Sequence, residues 1–118
     1  MSKHKVTLLF FMGLAIAAAC PSASWAGTAQ EAQKIFVDKC ARCHAENGSG
    51  DTPVGKALGA ADLRSPTVQK LTDAEIYAQI DKGKANMPPF GSGLNKAQIN
   101  DLIAYVRALA KKQVAAKK

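Results

Sequence analysis

Histidine and cysteine are scarce: the 118 residues include two His and three Cys. An odd number of cysteines excludes a fully paired disulfide framework. Aromatic residues are few at 6%, with a single Trp, so little bulk is available for a core. There is no strand-like alternation and no internal repeat, and no apolar run reaches the roughly 20 residues that span a bilayer. The formal net charge of +7 comes without a nucleic-acid reader motif or aromatic–basic interleaving, so it does not point to nucleic acid. The length allows one domain. A composition 47% hydrophobic and 21% charged is that of a globular protein.

The beginning of the chain has the layout of an export signal. Lys3, His4 and Lys5 form a basic start, and residues 6–19 carry no charge. That run is short for a membrane span and suits a signal-peptide core. Pro21 breaks it, and Ser24-Trp25-Ala26 puts small residues where a signal peptidase reads, so residues 1–26 are expected to be removed. Two other readings stay open: an uncleaved anchor, and a lipid-modified Cys20 following Ala17-Ala18-Ala19. Cleavage after Ala26 leaves Cys40, Cys43, His44 and Met87 as the only residues of their types. The 16 positive charges fall to 14 with Lys3 and Lys5 gone; against 9 acids the net charge is +5. Four of the positives are Lys111, Lys112, Lys117 and Lys118, so the body is nearly neutral.

The remaining chain predicts three helices separated by two long loops. Thr28 and Glu31 have capping-box spacing, which predicts a helix from Thr28 to about Arg42. Thr72 and Glu75 repeat that spacing, with a Leu71/Ile76 staple, and this helix should end near Gly83. Asn95 with Gln98 starts the last helix. Its apolar stripe is Ile99, Leu102, Ile103, Val106 and Leu109, and Lys111 and Lys112 suit its C-terminal dipole. Residues 45–70 are rich in Gly and Pro and read as a loop with at most one short turn of helix. Residues 113–118 are expected to fray. The expected layout is thus a domain over 27–112 with a Lys-rich tail. Phe36, Tyr77, Phe90 and Tyr105 are its only aromatics, too little core for a domain of this size unless a large apolar cofactor adds volume.

The chemistry concentrates in Cys40-Ala41-Arg42-Cys43-His44. C-x-x-C-H is the attachment motif of c-type haem: two thiols add to the two vinyl groups, and the adjacent His binds the iron. A thioredoxin-like pair would need a βαβ context that is absent, and a structural zinc site needs a fourth ligand. A plain Cys40–Cys43 disulfide remains an alternative. For the sixth position on the iron, Met87 in the turn-forming Met87-Pro88-Pro89 segment is the one thioether candidate. The competing readings are a Met that merely fills a core gap, and an amine from Lys82 or Lys84 at alkaline pH.

With Cys40-x-x-Cys43-His44, Gly83-x-x-x-Met87-Pro88 and a last helix ending Tyr105-Val106-Arg107-x-Leu109, the chain resembles the class I monohaem cytochromes c from Thr28 to about Lys112. The resemblance implies an all-α fold of about three main helices and long loops wrapped around one covalently bound haem. The first and last helices should cross, with Ala32 giving room and Phe36 and Tyr105 packing beside the crossing. It implies Cys40 and Cys43 as the covalent attachment and His44 and Met87 as axial ligands of the haem iron. The expected function is one-electron transport in the periplasm, without enzymatic turnover, by a monomer that docks transiently on redox protein partners and meets a membrane only through a membrane-bound partner. A subunit of a larger dehydrogenase or oxidase, and a haem enzyme or ligand sensor with a labile sixth site, are the alternatives. Two departures stand out. The family often has Gly after the motif where this chain has Ala45. It also often has a Gly-x-Pro segment whose Pro carbonyl receives the proximal His N–H. Here Gly59-Ala60-Ala61-Asp62-Leu63 has no Pro, and the carbonyl of Ala60 or Ala61 is the expected acceptor.

Overall fold

The computed structural model describes residues 25–118. Residues 1–24, most of the expected export signal, lie outside them. The described residues form six helices and no strand: α1 (Trp25–Lys39), α2 (Ala41–His44), α3 (Pro53–Leu58), α4 (Pro66–Gln69), α5 (Asp73–Lys82) and α6 (Lys96–Ala116). The all-α expectation holds, with a finer subdivision than the sequence predicted.

The helices that form most clearly are those whose ends carry their own signals. Thr72 caps α5 by accepting the Glu75 N–H, and the Glu75 carboxylate accepts the Thr72 N–H at 2.7 Å. Asn95 and Gln98 make the same reciprocal pair at the start of α6, both bonds at 2.9 Å. Each capping arrangement contributes about 1 kcal/mol by satisfying N–H groups the helix leaves unpaired. Ile76 and Ile80 of α5 are buried, as is the whole predicted stripe of α6.

α1 packs against α6, as do α5 and α6. Ala32 and Phe36 on α1 are each 1% exposed, and the Phe36 and Tyr105 rings meet with centroids 5.0 Å apart in a tilted arrangement. The small Ala32 lets the helices approach while the paired aromatics fill the space beside it, as the resemblance implied. Arg107 locks α6 to the chain entering α5. Its guanidinium donates to the carbonyls of Gln69 (3.0 Å) and Leu71 (2.6 Å) and to the Asp73 carboxylate (2.7 Å).

Several predicted boundaries move. α1 starts at Trp25, so Thr28 lies inside it in the uncut chain, and Trp25 and Ala26, which the expected cut would remove, begin this helix. The helix breaks at Cys40, and the haem-type motif continues as the separate turn α2. α6 runs through Ala116 instead of ending near Lys112, because Val114-Ala115-Ala116 contains good helix formers and nothing that stops a helix. Residues 45–70 hold two short helices, not one turn. Thr52 caps α3 and Ser65 caps α4, each with Pro in the first helical position, where the missing N–H costs nothing.

Candidate functional site

The site is built around α2. Cys40 ends α1 and starts α2, and its carbonyl accepts the N–H of Cys43 (3.1 Å) and of His44 (2.9 Å). One turn of helix therefore carries Cys40, Cys43 and His44. Both thiols are free and half-buried, so the plain disulfide is not formed. Burial pushes the Cys40 thiol up to about 11, with Lys39 only partly opposing it, which keeps its proton on at neutral pH.

α3 is stitched under α2. The Thr52 hydroxyl donates to the Arg42 carbonyl at 2.8 Å and accepts the Gly55 N–H at 2.8 Å. Gly55 makes this approach possible. A Cβ there would overlap the Cys43 carbonyl oxygen and lie 2.5 Å from that of Gly50. The chain leaving α3 is pinned by Ala60 N–H to Gly55 O (2.8 Å) and by Leu63 N–H to Gly48 O (2.7 Å). Between these two bonds the Ala61 carbonyl sits 3.0 Å from His44 Nδ1. The Pro-less segment thus supplies the oxygen, and backbone bonds hold it in place of a proline ring. Such a bond fixes the tautomer and orientation of a ligating His and leaves Nε2 to bind. Beyond it, Asp62 accepts the Arg64 backbone and side-chain N–H groups at 2.9 Å, and the bond from the Arg64 side chain holds its carboxyl below the ordinary range.

Met87 lies in a separate tight turn, 84–87. Lys84 N–H donates to the Met87 carbonyl at 3.0 Å, and Met87 N–H to the Lys84 carbonyl at 2.9 Å. Its side chain is half-buried against the core. The Asn86 side chain reaches from this turn to the Leu58 carbonyl at 3.0 Å, three residues before the acceptor for His44. The predicted site residues therefore fall on two segments, α2 and the 84–87 turn, that share the 58–61 stretch as a common support.

Known proteins agree with this picture. The family description "Cytochrome C oxidase, cbb3-type, subunit III" matches residues 27–106. Cytochrome c6 of Rippkaea orientalis is 35% identical over 108 residues, 92% of this chain and 95% of that protein. This chain belongs to the class I monohaem c-type cytochromes. The Cbb3-type cytochrome c oxidase subunit CcoP of Azospirillum brasilense is 33% identical over 86 residues, 71% of this cytochrome and 29% of that protein. A solved structure, the KustC0563 c-type cytochrome, aligns with a TM-score of 0.61 at 30% identity over 66% of this chain and 95% of its own. Members of the family hold haem c covalently and are electron carriers, not enzymes.

The residues present fit such a group. Two free thiols, an imidazole fixed through Nδ1 and a thioether form a suitable donor set. Leu63, Leu71, Tyr77 and Phe90 pack partly exposed against the core, leaving apolar surface suited to a large flat apolar partner. Sequence reasoning missed Thr52 and Gly55. The Thr52-Pro53 pair carried a readable cap signal, but the need for Gly55 arises only when two segments meet.

Ala45, immediately after the motif, is held at φ 60°, ψ 159°, backbone that is nearly glycine-only and costs of order 1–3 kcal/mol for other residues. Ala45→Gly relieves that strain while adding about 0.4–1 kcal/mol of unfolded-state entropy. The expected net gain is about 1 kcal/mol, a rise of roughly 4–8 °C in the thermal midpoint. A melt of the haem-loaded protein that shows no rise refutes the strain argument.

Proposed function

We propose that the cytochrome is a periplasmic carrier whose haem is attached through Cys40 and Cys43, with His44 and Met87 as axial ligands. The bound haem supplies a reversible Fe(III)/Fe(II) couple. The protein's part is to hold the group still and set its potential. Cys40 and Cys43 tether it from one helical turn. His44 presents Nε2 because the Ala61 carbonyl holds Nδ1–H, and this bond is the observation that carries the reading. Met87 would supply the second axial ligand, and with it bound no substrate would need to bind iron. A filled sixth site changes little on reduction, and fast outer-sphere transfer requires that.

The proposed processing removes residues 1–26 and leaves a domain over 27–112 with the tail 113–118. Among the described residues no helix is long and apolar enough to cross a membrane. Partners are redox proteins met one at a time over small interfaces, and the basic groups Lys111, Lys112, Lys117 and Lys118 favour acidic surfaces. The cytochrome c6 relatives support the carrier reading. The oxidase-subunit family description favours a second one, an electron-transfer subunit of a larger complex. Gel filtration of native extract separates them: a free carrier elutes near its monomer size.

A redox titration of the exported protein with spectra tests the assignment. The expected outcome is one one-electron wave and, in the Fe(III) state, the weak long-red Met–iron band. An absent band with fast cyanide or CO binding overturns the closed-site reading and favours a sensor or enzyme.

A further inference from the structure

Met87 sits in a turn that needs outside support. Ala85, two residues before it, has φ 52°, in the left-handed region where a residue with a Cβ is strained. Such backbone persists only when its surroundings over-determine it. The two bonds between Lys84 and Met87 close the turn on itself but tie it to nothing else. Among the described residues, the hydrogen bond that leaves the turn is Asn86 Nδ2–H to the Leu58 carbonyl. Leu58 is the last residue of α3, and its carbonyl is one that a helix end leaves without an intrahelical partner. Three residues on, Ala61 receives His44 Nδ1–H.

We infer that Asn86 is a positioning residue for Met87, holding its turn against residues 58–61, the same short stretch that orients His44. This rests on the His44/Met87 ligation proposed above. The stretch then sets the spacing between the two sides of the site: its position is fixed from the α2 side by Ala60 N–H to Gly55 O and Leu63 N–H to Gly48 O, and Asn86 transmits that position to the Met87 side. Without Asn86 the strained turn relaxes and Met87 drifts from its place, while α2 and its His44 bond remain.

The test is competition by imidazole for the sixth position in the Fe(III) holoprotein, followed through the Met–iron band. Asn86→Asp keeps the shape and loses the donor; Asn86→Ala loses both. A net hydrogen-bond contribution of ordinary size predicts roughly two- to tenfold tighter imidazole binding in both variants. Asn86→Gln, which keeps an amide donor, should fall between them and the wild type. Asn86 is exposed, so the variants should fold. A wild-type protein without the Met–iron band overturns the proposed ligation itself. A wild-type protein with the band, alongside variants that bind imidazole as it does, overturns only the positioning role. In that second case a lowered thermal midpoint would mean that Asn86 merely finishes α3.

Discussion

Replacing Met87 with Ala is expected to leave the haem covalently attached, abolish the Met–iron band, and lower the reduction potential by on the order of tenths of a volt within the ~0.8 V span that axial ligation controls. The direction follows from ligand chemistry. A thioether is a soft, neutral donor that favours Fe(II), and its loss to water or an amine favours Fe(III). The size follows from the inventory. Beyond Met1 and Met12, both in the expected export signal, the chain has no other methionine. Cyanide should then bind the Fe(III) protein quickly, since no internal ligand has to leave. Attachment should survive because Cys40, Cys43 and His44 share a turn that does not depend on the 84–87 segment. Potentiometric titration of wild type and variant reads the result directly. A wild type that lacks the band, with a variant that matches its potential and spectrum, removes Met87 from the ligand set and leaves Lys82 or Lys84 as the candidates.

How much of this was legible in the sequence depended on the range of the forces involved. α5 and α6 were readable because their determinants are local: Thr72 with Glu75 and Asn95 with Gln98 lie within one turn, and the α6 stripe recurs at helical spacing. The C-x-x-C-H motif was readable because its chemistry demands those three residues in that order. The ends of α1 were not. Thr28 has the spacing of a capping box, but a cap forms only if the chain turns non-helical there, and here the helix is already under way. The 45–70 segment was under-read for a related reason. Its glycines signalled a loop, and several do take left-handed turns, Gly48, Gly50 and Gly59 among them. Yet Thr52-Pro53 and Ser65-Pro66 each start a helix too short to show a period. The acceptor for His44 was narrowed to two neighbouring carbonyls, and the choice of Ala61 came from bonds to Gly55 and Gly48 that no local pattern reveals.

Gly55→Ala tests that long-range part of the design, because local and tertiary arguments predict opposite signs. Gly55 lies inside α3, where helix propensity favours Ala by about 0.5–1 kcal/mol. The tertiary argument runs the other way. The added methyl would overlap the Cys43 carbonyl oxygen and crowd that of Gly50 and the Thr52 hydroxyl. Two of these are backbone atoms, with no rotamer to escape into. α3 must therefore retreat from α2, which stretches the Thr52 hydroxyl bond to Arg42 and displaces the Gly55 carbonyl that holds Ala60. The Ala61 carbonyl moves with it, and His44 loses its fixed orientation. The expected cost is about 3 kcal/mol or more, at the upper end for overpacking because backbone has to move. In a domain of this size that lowers the thermal midpoint by roughly 12 °C or more, with a lower yield of haem-loaded protein. Gly59→Ala is the matched control. Gly59, unlike the helical Gly55, adopts a left-handed backbone, φ 69°, but a Cβ there meets nothing within 4 Å, so it should cost only the conformational strain of about 1–2 kcal/mol. The decisive comparison is the pair of melts. If Gly55→Ala is as stable as wild type, or loses no more than Gly59→Ala, then α3 does not need its close seat under α2, and the support drawn here for His44 is wrong.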